Sequence, residues 1–444
     1  MKTPVCDFVN EYVRKNSVRL HMPGHKGLEM LGFEDKDITE ISGADSLYEA
    51  NGIIKASENN ASALFGCDTF YSTEGSSQCI RAMVYLACVY AKSSGRKPLI
   101  FAGRNAHKTF LSACALTDAE VVWLCSKNGG SYLSCEINAE EIEEALLSAD
   151  EMPAAVYLTS PDYLGNMPDI KSISAVCKKH GVLLLVDNAH GAYLEFLPES
   201  LHPIKLGADI CCDSAHKTLP VLTGGAYLHI SPDKAKNFSD KAKTSLALFG
   251  STSPSYLILQ SLDATNKYIA DGYREKLAEF VKSVDTLKEK LIDNGYTLCG
   301  NEPLKITLAA KEYGYYGCEI AGLLEEKNII CEFADKDFIV FMLTPETGNG
   351  IEVLEKALLS IPKKAKISEI PPEFSLPEKA MSIRDAVFSE YETIPASESE
   401  GRILASTNVA CPPAVPVVVC GEKIDKKAIE CFKYYGIKEV NVIK

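Results

Sequence analysis

Between about residue 60 and residue 230 the chain alternates short apolar runs with stretches of helical spacing, and this alternation restricts the fold more than any other feature. The runs fall at 98–102, 121–125, 155–159, 182–187, 209–212 and 226–230, with helical patterns such as 77–91 and 170–180 between them. Several are apolar at almost every position, as strands covered on both faces are. Strand and helix in turn predict an α/β fold with a mostly parallel sheet. In such a sheet the reactive side chains are expected just past the strand ends, at one rim.

Outside this region the pattern changes. Residues 1–50 read as irregular, punctuated by Pro23, Gly24, Gly27 and Gly43, and are expected to form an arm. Residues 255–295 read as one long helical span stopped at Gly295, with Leu277, Phe280, Val281, Val284, Leu287 and Leu291 on one face. A smaller α+β unit is expected over 297–362, with strands at 304–308 and 338–343 and helices at 318–327 and 351–360. The Pro- and Lys-rich stretch 362–377 reads as a linker. The expected division is therefore an arm at 1–50, a large domain at 51–265, a small α+β domain at 266–365 and a C-terminal domain at 366–444.

Charge and cysteine usage narrow the function classes. The net charge is −14, from 60 acidic and 46 basic residues. A nucleic-acid partner is not expected, because neutralising phosphates takes clustered Lys and Arg. No stretch approaches the roughly 18–20 apolar residues of a membrane helix. The N-terminal MKTPVCDFVNEYVRK lacks a signal-peptide core, so a cytoplasmic protein is expected. The 16 cysteines include no CxxC and stand mostly alone in apolar stretches, as Cys88, Cys125, Cys177 and Cys331 do. They read as buried thiols of a reducing compartment, with neither a disulfide framework nor a metal site.

Four segments carry chemistry. Ser214-Ala215-His216-Lys217-Thr218 follows an apolar strand. A lysine there, with its pKa lowered by burial and by a neighbouring cation such as His216, could form a Schiff base; an exposed loop lysine is the other reading. Asp187 ends the run GVLLLVD, where a carboxylate suits a pyridine nitrogen or simply caps a turn. Gly75, Ser76 and Ser77 open a helix, offering amides and hydroxyls to a phosphate, or making a plain cap. His107, after the strand at 98–102, could stack on a planar ring or lie in a surface loop. Each segment is ambiguous alone; their common position at one rim of the sheet favours a joint site.

With these residues the chain resembles the ornithine/lysine/arginine decarboxylases that use pyridoxal phosphate on the aspartate-aminotransferase fold. The resemblance runs over nearly the whole chain. It includes His21-Met22-Pro23-Gly24-His25-Lys26-Gly27, Arg104-Asn105-Ala106-His107-Lys108, Ser160-Pro161-Asp162-Tyr163-Leu164-Gly165 and Asp187-Asn188-Ala189-His190-Gly191. Its most specific piece is Ser214-Ala215-His216-Lys217-Thr218-Leu219-Pro220; Ser251-Thr252-Ser253-Pro254-Ser255-Tyr256 and the segment from Gly401-Arg402-Ile403 to Pro412-Pro413 extend it. The chain looks like the short form, without a receiver-like domain before the PGHKG segment.

The resemblance implies a fold type I large domain with smaller α+β C-terminal domains, and a role for each matching residue. Lys217 would hold pyridoxal phosphate as a Schiff base, Asp187 would pair with its ring nitrogen, and His107 would stack on the ring. Gly75, Ser76, Ser77, Ser214 and His216 would bind the phosphate. His190 would lie beside the cofactor, with Lys217 or His190 protonating the substrate carbon after carbon dioxide leaves. The site would be shared in a homodimer or higher homo-oligomer, with Ser251, Thr252 and His25 reaching across. The implied reaction is decarboxylation of arginine, lysine or ornithine to the amine, in polyamine metabolism. Asp45, Glu49 and Glu332 are the acids considered for the substrate's distal cation. Three departures leave the identity of the amino acid open: Asn188 in place of an acid, Gly224 where Gln is common, and Cys411-Pro412-Pro413-Ala414-Val415-Pro416, in the C-terminal unit that helps shape the substrate end in this family, without the usual Tyr and Gly. The alternatives are an aminotransferase or aldolase with the same cofactor, or a non-catalytic regulatory relative, against which the intact Lys217, Asp187 and His107 argue.

Overall fold

The computed structural model describes residues 1–125, 132–373, 376–407, 410–411 and 415–444. In chain order the first elements are α1 (Pro4–Lys15), α2 (Ile53–Phe65), β1 (Asp68–Ser72), α3 (Gly75–Ser93), β2 (Leu99–Gly103), α4 (Lys108–Thr117), β3 (Glu120–Leu124), α5 (Ala139–Leu147), β4 (Ala155–Thr159), α6 (Ile170–His180) and β5 (Leu183–Asp187). They continue with β6 (Ile210–Asp213), α7 (Ala215–Thr218), β7 (Ala226–Ile230), α8 (Ala235–Ala247), α9 (Tyr256–Ala270) and α10 (Tyr273–Asp293). All six apolar runs are strands, with ends within one residue of the sequence reading. The chain divides into two compact units, 1–87 with 184–277 and 88–183 with 278–444.

In the first unit β6 lies between β5 and β7. It runs parallel to β5, with Asp187 opposite Cys212, and antiparallel to β7, with Asp213 opposite Tyr227. β1 pairs antiparallel with β7. In the second unit β2 runs parallel to both β3 and β4. The strands β1 to β7 thus make an α/β arrangement with mostly parallel pairing, in which β7 alone is reversed, antiparallel to both of its neighbours β6 and β1.

Two expectations need correction. Residues 1–50 are not irregular throughout, because α1 occupies 4–15. Pro4 opens it, where a missing N–H costs nothing. The Asp263 carboxylate accepts the amides of Val5 and Cys6, both at 3.0 Å. Val5 and Val9 are fully buried, which contributes roughly 1.5–3 kcal/mol per side chain. The span 255–295 is two helices, α9 and α10, because Gly272 takes φ +96°, outside the helical region.

The second unit continues with β8 (Leu298–Cys299), β9 (Lys305–Ala309), α11 (Gly317–Glu325), β10 (Phe333–Ala334), β11 (Phe338–Met342) and α12 (Gly350–Leu359). The four strands form an antiparallel sheet in the order β10-β11-β9-β8. Then follow α13 (Ile383–Phe388), β12 (Tyr391–Pro395), β13 (Ala410–Cys411), β14 (Val415–Pro416), α14 (Lys426–Tyr434) and β15 (Glu439–Ile443), with β12 and β15 paired antiparallel. Val417, Val418, Phe432, Val440 and Val442 pack with Leu164, Phe333 and Val340 in one core. Pro412, Pro413 and Ala414, part of the departure noted in the sequence, lie outside the described residues. Among the described residues no helix is long and apolar enough to cross a membrane.

Candidate active site

The first unit gathers nine of the ten residues expected to bind cofactor or react. Asp187 is the last residue of β5 and is buried. Its Oδ1 accepts the amide of Ala189 at 3.2 Å and the thiol of Cys212 at 3.7 Å, which holds the carboxylate in one orientation. Lys217 lies in the single turn of α7, just past the end of β6. Its Nζ is 2.9 Å from Nε2 of buried His190, three residues after Asp187. An amine and an imidazole at that distance share one hydrogen bond, so a proton can pass between them without reorganisation.

α3 begins at Gly75, so Ser76 and Ser77 lie in its first turn, where amides have no partner within the helix. Gly75 has φ +72°, and its amide donates to the carbonyl of Gly224 at 2.7 Å. Ser214 Oγ donates to Ser76 Oγ at 2.8 Å, so the turn after β6 meets the start of α3. His216 Nδ1 lies 2.9 Å from the carbonyl of Gly225, to which it donates. Burial, and to a lesser degree Lys217, lower the His216 pKa. With Nδ1 donating, Nε2 can contact an anion favourably only when the ring is protonated.

Thr252 is exposed, in a loop tethered where the Ser251 amide donates to the Glu74 carboxylate, one residue before Gly75. His107, the tenth residue, belongs to the second unit. It caps α4, its Nδ1 accepting the Thr109 amide at 3.2 Å. His25 accepts the Gly27 amide at 3.0 Å and lies 3.2 Å from Asp37.

The donor set in the first unit fits pyridoxal phosphate. A helix start with two hydroxyls suits the phosphate, a buried acid with an oriented oxygen suits a protonated ring nitrogen, and an amine beside an imidazole suits the aldehyde.

Of the acids considered for a distal cation, Asp45 drops out. Its carboxylate accepts the amides of Ser46, Asn51, Gly52, Ile54 and Lys55, four of them around the start of α2, and it is buried there as a helix cap. Glu49 is exposed, and Glu332 accepts the Tyr163 hydroxyl at 3.0 Å. Sequence reasoning missed Asp213, His202 and His229. They form one buried cluster in which Asp213 accepts from both imidazoles, at 3.1 and 3.0 Å. The acid immediately before Ser214 was the one available signal.

Comparison with known proteins shows the family and the fold. The family model described as Orn/Lys/Arg decarboxylase, major domain, matches residues 3–307, and that of the C-terminal domain matches 364–440. An arginine decarboxylase of Bacillus subtilis (strain 168) is 29% identical over 461 residues, covering 96% of this chain and 92% of its own. An uncharacterized protein of that strain, YaaO, is 29% identical over 462 residues, covering 97% of this chain and 93% of its own. The solved lysine decarboxylase LdcF of Francisella novicida superposes with a TM-score of 0.80, covering 100% of this chain and 81% of its own. At 17% identity that likeness shows the fold.

Proposed function

The chain belongs to the Orn/Lys/Arg decarboxylase family and is a basic amino acid decarboxylase of that family; we propose that it works with pyridoxal phosphate, releasing carbon dioxide and the corresponding amine. Arginine is the substrate to test first, because arginine decarboxylases of two bacilli are each 29% identical to this chain over more than nine-tenths of their length. The observation that carries the reading is the convergence of Lys217, His190, Asp187 and the start of α3 within one unit.

When bound, pyridoxal phosphate supplies the electron sink that carboxylate loss requires. The residues do the rest. Lys217 Nζ is the covalent attachment point. Asp187, oriented by Ala189 and Cys212, holds a proton on the ring nitrogen. Gly75, Ser76, Ser77 and Ser214 bind the phosphate, with His216 and Thr252 as further contacts. His107 takes the ring-stacking role by its match to the family motif. The proton that replaces the carboxylate comes from the Lys217–His190 pair.

The finer expectations are part of the same proposal. The four-part division at 50, 265 and 365 is proposed as the domain scheme, and polyamine formation in the cytoplasm as the setting. Homodimer formation is supported by the exposed apolar side chains after α1, Val18 at 84% and Leu20 at 90% exposure.

Borohydride reduction followed by peptide mapping is the direct test, paired with carbon dioxide release from labelled arginine, lysine and ornithine. The expected result is a cofactor adduct at Lys217 and release from at least one substrate, both abolished in Lys217→Ala. A colourless protein without an adduct, or full activity in Lys217→Ala, would refute the assignment.

A further inference from the structure

The end of β6 carries an acid that the proposed chemistry does not use. Asp213 is fully buried, and four bonding partners account for its carboxylate and backbone position. Oδ1 accepts the Asn188 side-chain amide at 2.7 Å; Oδ2 accepts from Nε2 of His202 at 3.1 Å and of His229 at 3.0 Å. The residue itself is paired with Tyr227 of β7. An ionised carboxylate only accepts, so His229 donates through Nε2, and in the neutral ring Nδ1, 2.9 Å from the Thr69 hydroxyl, is the accepting nitrogen. Burial pushes the Asp213 carboxyl up, but the two imidazoles outweigh it and hold the group far below the usual carboxylate range. Cys211 Sγ is 3.9 Å from His202 Nε2, and these groups are near enough for a metal, but the hydrogen bonds already satisfy Asp213.

The carboxylate stands between the two turns that carry the site. Asn188 follows Asp187 and precedes His190 by two residues. Asp213 precedes Ser214 and lies four residues before Lys217. The Asn188 backbone amide also donates to the Cys212 carbonyl at 3.0 Å, extending the β5–β6 ladder by one residue. Gly191 leaves the space, since a Cβ there would come 2.0 Å from Asn188 Oδ1.

We propose that Asn188 and Asp213 form a positioning pair that fixes the turn bearing Asp187 and His190 against the turn bearing Lys217. An amide stands at 188 because its partner is a fixed anion. The proposal rests on the cofactor reading above for its effect on catalysis. A carboxylate at 188 would face Asp213 at hydrogen-bond distance, and two buried carboxylates that close do not both ionise. The substitution Asp213→Asn would cure this. Its amide nitrogen would take the place of Oδ1 and donate to residue 188, while the remaining oxygen would still accept from both imidazoles.

The test is a double-mutant cycle of Asn188→Asp and Asp213→Asn. In the wild-type background N188D is expected to lower kcat by about tenfold or more, with KM changed by less than about threefold, and to shift the absorption band of the bound cofactor. In the D213N background the same substitution is expected to cost less than about threefold. The cofactor-free protein gives a second readout. Hydrogen exchange of amides 188–191 and 214–218, followed by mass spectrometry, should accelerate in N188D and return toward the D213N rate in the double variant. Equal losses in both backgrounds, or wild-type exchange and turnover in N188D, would overturn the pair. If N188D does not fold, recovery of folded protein in the double variant supports the pair and its absence overturns it. A wild-type chain without a reducible adduct at Lys217 would refute the cofactor reading, and the exchange coupling would still decide the pair.

Discussion

Gly224→Ala should weaken cofactor binding more than its distance from any reacting atom suggests. Gly224 has φ +99°, and its carbonyl accepts the Gly75 amide at 2.7 Å at the start of α3. A Cβ at 224 would lie 2.9 Å from the Thr73 carbonyl oxygen and 3.1 Å from Ile258 Cδ1. The positive φ alone costs an L-residue roughly 1–2 kcal/mol. The backbone oxygen cannot rotate away as a side chain could, so the Thr73–Gly75 segment must shift and strain the Gly224–Gly75 hydrogen bond, worth about 0.5–1.5 kcal/mol. The sum is about 1.5–3.5 kcal/mol. If it falls on the conformation that binds phosphate, affinity drops by about 10- to 300-fold at 1.4 kcal/mol per factor of ten. Absorbance titration of the cofactor-free protein with pyridoxal phosphate measures this, and urea unfolding measures the share that appears as lost stability. Gly95→Ala is the control, since Gly95 has φ +68° with nothing within 4 Å of its added Cβ. A change below about threefold in affinity together with unaltered stability would refute the reasoning.

Other perturbations read other parts of the structure. Asp187→Ala removes a charge-assisted hydrogen bond of about 1.5–3 kcal/mol, so cofactor affinity should fall by about 10- to 150-fold and turnover severely; a near-normal rate would remove Asp187 from its role. Burial lowers the His229 pKa. Its neutral form is therefore the native one, and its contribution to stability is present above the unfolded value of about 6.5 and is lost as pH falls below it, by up to about 1.4 kcal/mol per pH unit. Urea unfolding of the cofactor-free protein from about pH 7.5 to about pH 5.5 should accordingly be less pH-dependent in His229→Gln; identical slopes would contradict this. Arg104 donates to the carbonyls of Pro416 and Val417 at 2.8 and 3.1 Å and meets the buried Glu422 at 3.2 Å. Arg104→Ala leaves that carboxylate unpaired and should cost about 3–5 kcal/mol in thermal or urea unfolding, part of it recovered by adding Glu422→Gln. A loss under about 1 kcal/mol would show that the pair is not stabilising.

The strands were legible because each is nearly saturated with apolar residues, and a buried strand has little other choice. The break at Gly272 was not, because a single glycine inside a helical pattern is tolerated as often as it stops a helix. α1 is hidden for the opposite reason: the prolines and glycines of 23–43 give the whole segment an irregular signature, although Pro4 is well suited to a first helical position. Lys217, Asp187 and Ser76 could be placed at one rim because each follows a strand or opens a helix, which is local information. The Asn188–Asp213 contact spans 25 residues and depends on β5 and β6 being neighbours, which no local pattern states.

The same distinction separates the cofactor side of the site from the substrate side. Groups assigned to pyridoxal phosphate are held by short-range structure: a strand end, a helix start, a single turn. An acid for a distal amine or guanidinium has no such signature, since any carboxylate looks alike in sequence. Asp45 illustrates the error, because five backbone amides already satisfy the charge that a substrate would need. Glu49 and Glu332 are both exposed, where an ion pair by itself contributes little. They differ in how they are held. Glu332 accepts the hydroxyl of Tyr163, which orients its carboxylate, and with about four acceptor sites it keeps capacity for a cation. Exposure thus leaves Glu49 and Glu332 open to a cation where Asp45 is not, and of these two Glu332 is the one held by a hydrogen bond from a neighbouring hydroxyl.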